Sequence, residues 1–185
     1  MSETQSFDAD ARVDPPLRVD EATTLRTFLD YHRDTLRWKC SGLTQEQLAV
    51  SLPPSDMTLG GIMKHLAAVE CSWLEIVFAG GEYMPPFDTV DWDADRDWEW
   101  HSAPADSPDE LRALHDDAVA RADAVIDSAL KEDAGLDGLS VRESRSEGEG
   151  RFSLRWILVH LIEEYSRHNG HADLIRQSID GETGE

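Results

Sequence analysis

Apolar residues recur along this chain at three- and four-residue steps in four long stretches, the pattern of amphipathic helices that bury one stripe and leave their other faces wet. The first begins after Asp20, carries Leu25, Phe28, Leu29, His32 and Leu36 on one stripe, and runs to about Cys40 before a stop at Gly42. The second covers residues 58–78, with Leu59, Ile62, Leu66, Val69, Trp73 and Ile76 as its buried stripe and Gly80-Gly81 as its stop. The third opens on Ser107 as N-cap, Pro108 at the first helical position and Glu110 completing a capping box, and buries Leu111, Leu114, Ala118, Ala122, Val125 and Leu130. The fourth, capped by Ser153, covers residues 154–176 and aligns Leu154, Ile157, Leu158, Leu161, Tyr165, Ala172 and Ile175.

The segments between these stretches read differently. Residues 44–50 predict a short helix with Thr44 and Gln47 spaced as a capping box. Residues 82–106 hold Pro85-Pro86, many aspartates and Trp92, Trp98 and Trp100 without a steady period, which predicts a long loop packed over a site or on the exterior. Residues 131–151 are rich in Gly, Ser, Glu and Arg, and residues 144–150 predict a mobile loop. No run reads as a strand. The expected architecture is therefore all-α: a four-helix bundle over residues 19–182, with a long connection between its second and third helices, a flexible arm over residues 1–18 and a frayed tail after Ile179.

Composition narrows the function classes. With 185 residues, 40% of them apolar, the chain suits one domain with a substantial core. A formal charge of −21 disfavours nucleic acid and anionic membranes, which need clustered Lys and Arg. No run approaches the ~18 apolar residues of a membrane span, and the polar, acidic N-terminus is unlike a secretory signal, so the expected location is the cytoplasm. Cys40 and Cys71 lack a Cys-x-x-Cys spacing and are expected as free thiols in a reducing compartment.

The candidate chemistry lies in the fourth stretch. His160, Glu164 and His168 form an i, i+4, i+8 row whose ends stand roughly 12 Å apart along a helix, too far for one ion to bridge. An adjacent pair can share an ion, either His160 with Glu164 or Glu164 with His168, provided another helix completes the set. Glu164 and His168 fall on or beside the buried face, where a carboxylate needs a partner. His65 lies beside the stripe of the second helix and gains interest from these ligands. His32, inside the first stripe, reads foremost as a hydrogen-bonded core histidine; His115 reads as surface or structural, and His101 carries no functional expectation.

The run Thr58-Leu59-Gly60-Gly61-Ile62-Met63-Lys64-His65-Leu66-Ala67-Ala68-Val69-Glu70, then Trp73, together with Ser153-Leu154-Arg155-Trp156, Glu163-Glu164, Arg167-His168 and Gly170-His171-Ala172-Asp173, resembles the DinB-like superfamily. More narrowly, it resembles the branch related to mycothiol-dependent maleylpyruvate isomerase, over roughly residues 19–182. The resemblance implies a four-helix bundle with a divalent metal ion held by His65, Glu164 and His168. It leaves His160 and His171 as neighbours that orient ligands or hold substrate; His32, from its place in the first stripe, is the other candidate for a supporting role. Two imidazoles and a carboxylate suit zinc or nickel and leave an open position for water or substrate. The implied activity is a thiol S-transferase or isomerase, in which a low-molecular-weight thiol such as mycothiol or bacillithiol attacks a small-molecule electrophile. Two alternatives use the same chain: a metal-dependent hydrolase, and a non-catalytic, stress-related binding or dimerising bundle. An exposed apolar helix stripe would favour a homodimer under any of them.

Overall fold

The computed structural model describes residues 12–144 and 150–183. Four long helical segments carry most of the core: α1 (Glu21–Cys40), α3 (Leu59–Glu70) continued by a π-helix (Cys71–Phe78), α5 (Pro108–Ala129) and α6 (Leu154–Asp180). Two short helices, α2 (Gln45–Leu48) and α4 (Trp98–Ser102), lie in the connections. Local sequence sets most of these boundaries. Asp20, Thr44, Thr58, Ser107 and Ser153 each accept a hydrogen bond from a backbone N–H in the first turn that follows, and Thr44 and Ser107 form full capping boxes. α6 ends at Gly181, which takes φ +78°, a left-handed conformation that costs glycine little. The helix therefore outlasts the expected stripe, and of the tail expected to fray, residues 184–185 lie outside the described residues.

α1 packs along α6 and α3 along α5, while α3 also touches α6 and α1. One apolar cluster joins them, including Leu29 and Leu36 of α1, Leu59, Ile62 and Leu66 of α3, Leu111 and Ile126 of α5, and Leu154, Ile157, Leu158 and Leu161 of α6. Removing each such side chain from water contributes about 1.5–3 kcal/mol. Inside this core is a polar chain with one member from each long helix. The buried Arg33 guanidinium donates to both carboxylate oxygens of buried Glu70, at 2.7 and 2.8 Å. Tyr165 donates its hydroxyl to Glu70 at 3.0 Å, and the Nε2 of His115 meets the same hydroxyl at 2.9 Å. With the tyrosine proton directed to Glu70, His115 Nε2 must be the donor of the second bond. Burial raises the Tyr165 pKa well above its ordinary value, so the hydroxyl keeps its proton.

Several expectations are corrected by this packing. Phe28 is 45% exposed, whereas Arg33, outside the expected stripe, is fully buried and paired with Glu70. His115 is fully buried, so the structural part of its expected role holds and the surface part does not. The second long helix changes from α to π at Cys71 rather than continuing as one α-helix. A two-stranded antiparallel sheet, β1 (Leu139–Glu143) with β2 (Arg151–Ser153), stands where no strand was expected. Ser140 supports it: its buried hydroxyl accepts from Phe152 N–H at 3.0 Å and donates to the Arg142 carbonyl at 2.6 Å. Val141 presses on Gly80, where a β-carbon would meet it at 2.7 Å. The expected mobile loop falls mainly on residues 145–149, outside the described residues, as do residues 1–11 of the expected arm. Its described end is engaged, with Arg12 lying over the Trp38 ring at 4.4 Å.

The segment 82–106 is not a bare loop. It contains a 3₁₀ turn (Phe87–Thr89), α4 and a second 3₁₀ turn (Ala103–Ala105), and buries Met84, Phe87, Glu99 and Ala103. Lys64 of α3 anchors it through Asp106 at 2.5 Å and lies over the Trp98 ring at 4.4 Å. No helix among the described residues is long and apolar enough to cross a membrane.

Candidate metal centre

α3 and α6 bring three expected side chains together. Ligand atoms of His65, Glu164 and His168 lie within 4.8 Å of one another. Glu164 Oε2 stands 3.9 Å from His65 Nε2 and 3.7 Å from His168 Nε2, while its other oxygen is 3.9 Å from His160 Nε2. None of these approaches is short enough for a hydrogen bond. Glu164 is thus a largely buried carboxylate, 16% exposed at its side chain, among three imidazoles and bonded to none of them.

This donor set fits a divalent ion. Atoms each about 2.1 Å from a tetrahedral ion stand about 3.4 Å apart; the 3.7 and 3.9 Å separations of Glu164 from the two imidazoles need a few tenths of an ångström of closure, and all three donors lie within 4.8 Å of one another. The protonation state agrees. Burial, reinforced by the neighbouring His65, His171 and Arg167, pushes the His168 pKa down to about 4, which leaves a neutral ring with a free lone pair at neutral pH. His65 is held by two groups from the 82–106 segment. Glu99, 6% exposed, places Oε1 3.0 Å from His65 Nδ1. With the carboxylate ionised, that contact makes Nδ1 the protonated nitrogen and Nε2 the free one. Trp100 stacks on the His65 ring at 4.9 Å and 29°.

The other expected histidines surround this cluster. His160 packs between Trp156 and Trp73, with its Nδ1 3.3 Å from exposed Glu163. His160, Glu163 and Glu164 also form a compact group, but Glu163 is already engaged by Arg167. His171 meets the His168 ring edge-on at 5.4 Å, and its buried Nδ1 has no partner among the described residues. His32 is not at the cluster: its carbonyl accepts from Asn169 Nδ2 at 3.0 Å, one residue beyond His168, and burial lowers its pKa. His101 is exposed and paired with Asp95.

Glu99 and Trp100 were not singled out as site residues from sequence. One signal was available. Gly60-Gly61 stand in the first turn of α3, where glycine adds backbone freedom that the helix must freeze out, and a β-carbon on Gly61 would stand 2.6 Å from the Trp100 ring. That glycine admits the indole to His65, one turn further along α3.

The two cysteines are remote from this chemistry in character. Both are buried free thiols, and burial pushes Cys40 up to about 12 and Cys71 up to about 11, so neither is a thiolate at neutral pH.

Among family models, the one described as mycothiol-S-transferase matches residues 24–181. No curated protein matches the chain. The matched span contains α3, α5, α6, the 82–106 segment and every residue of the three-donor cluster, and on that basis the chain belongs to the DinB-like mycothiol S-transferase family.

Proposed function

We propose that this protein is a metal-dependent thiol S-transferase or isomerase in which His65, Glu164 and His168 hold a divalent ion, zinc or nickel. The carrying observation is the convergence of these donors from two helices around a carboxylate that makes no hydrogen bond among the described residues. In this reading α1, α3 with its π extension, α5 and α6 form a DinB-like four-helix bundle over residues 19–182. An ion at this site supplies acidification of a thiol brought to its open position, so that sulfur is nucleophilic near neutral pH.

The chain's own residues do the rest. Glu99 fixes the His65 tautomer, and Trp100 fixes the plane of its ring. His160 flanks Glu164 on the side away from His65 and His168. Protonated Cys40 and Cys71 offer no internal nucleophile, so the reacting sulfur belongs to a low-molecular-weight thiol of the mycothiol or bacillithiol type, and the second substrate is a small electrophile.

The test is elemental analysis of protein purified without a histidine tag or chelator, followed by cobalt substitution and titration with small thiols. The expected result is about one ion per chain and a thiolate-to-cobalt charge-transfer band. Failure to bind an ion, or binding that survives loss of both His65 and His168, refutes the reading. Turnover in water without any thiol replaces it with the hydrolase.

A further inference from the structure

The π-helix changes the neighbourhood of His65. A π-turn takes more residues than an α-turn, so from Cys71 onward the side chains of this segment are re-aimed relative to the α register. Trp73 is one of them. Beside His65 lies a cavity of 190 Å³, walled by Trp73 and Ser72 of the π-helix and by Tyr83, Trp92 and Glu99 of the 82–106 segment. Tyr83 and Trp92 stand 6.1 Å apart, and Trp92 is braced by Phe87 and Trp98 at 6.4 and 6.3 Å. His65 therefore borders both the metal cluster and this aromatic cavity.

We propose that this cavity is the subsite for the electrophile, and that it takes a neutral, electron-poor single ring. The proposal rests on the transferase reading and names its substrate class. Size sets the first limit: an apolar cavity of about 150 Å³ holds benzene, so 190 Å³ admits one substituted ring. Electronics set the second. Indole and phenol present negative ring faces, and a ring that accepts a thiolate is electron-poor, so the two stack favourably. Charge sets the third, because Glu99 in the wall and the overall −21 disfavour an anionic substituent. With a chloronitrobenzene, the thiol sulfur forms a bond to the ring carbon, the carbon–chlorine bond breaks with its electron pair leaving as chloride, and the thiol proton passes to water.

The experiment compares 1-chloro-2,4-dinitrobenzene with iodoacetamide as electrophiles for the metal-loaded protein, Trp92→Ala and the cavity-filling Ser72→Trp. In parallel, unreactive 1,3-dinitrobenzene is titrated against the same proteins by saturation-transfer NMR. In both variants the ratio of kcat/KM for the ring electrophile to that for iodoacetamide should fall at least about tenfold, about 1.4 kcal/mol, with dinitrobenzene binding weakened to match. An unchanged ratio in folded variants, equal dinitrobenzene binding by all three proteins, or a rise in the KM of the thiol instead overturns the proposal. Absence of turnover with either electrophile, alongside Trp92-dependent dinitrobenzene binding, refutes the transferase reading and leaves the ring site supported.

Discussion

Glu70→Ala isolates the buried ion pair that joins the long helices. Arg33 has no exposed side-chain surface, and Glu70 takes two of its donors, Nε and Nη2, at 2.7 and 2.8 Å. Asp30 and Asp123 reach only Nη1, from the partly exposed edge of the network. Loss of Glu70 thus leaves two buried Arg33 donors without acceptors and takes away the acceptor of the Tyr165 proton. Breaking a buried pair by deleting one partner costs about 3–5 kcal/mol, whereas replacing both by apolar groups of similar size is often close to neutral. Glu70→Ala should therefore destabilise by about 3–5 kcal/mol, and Arg33→Met/Glu70→Leu by less than either single change. Urea unfolding followed by far-UV circular dichroism, on metal-free protein so that ion binding does not contribute, measures both. A single-variant cost below about 1 kcal/mol, or a double variant that costs the sum of the singles, would show that the pair does not act as a desolvated unit.

His168→Ala should abolish metal binding with the circular dichroism spectrum retained, since the apolar core does not depend on the ion, and His171→Ala should keep the metal; equal loss in both disproves the ligand assignment. Glu99→Ala should weaken metal affinity by about 10–100-fold, with partial recovery in Glu99→Gln, as judged by competition with a chelator. Stability should also fall with acidity through His115. Burial lowers its folded pKa despite the opposing pull of Asp116 and Glu70, and Arg37 lowers it further, so below about 6.5 the unfolded chain takes up a proton that the folded one refuses. Unfolding free energy should thus be fully present above pH ~6.5 and decline below it, and His115→Gln should flatten that decline; an unchanged slope would count against the assignment.

Much of the scaffold was legible because it is local. Ser107, Pro108 and Glu110 start α5 by filling their own first-turn donors, and the α6 stripe from Leu154 to Ile175 is buried throughout. Spacing on α6 limited Glu164 to one adjacent histidine per ion, and the DinB-like motifs singled out His65 and His168. Four features were decided only by contacts between distant segments. Arg33 is interior because Glu70, thirty-seven positions later, pairs with it, and no periodicity within α1 reveals that partner. β1 and β2 are short, and an exposed pattern such as that of β1 becomes a strand only when its partner is in register. The π-turn at Cys71 has no propensity signature in a run that reads as an ordinary helix. Glu99 and Trp100, in a segment without a steady period, reach His65 because Gly61 leaves room for the indole. The sequence by itself determined the four long helical stretches, their caps and the donors available, since these depend on neighbours within a turn or two. Which donors face one another, and what aromatic surface stands beside them, was decided by tertiary packing, because both depend on chain segments brought together across the core.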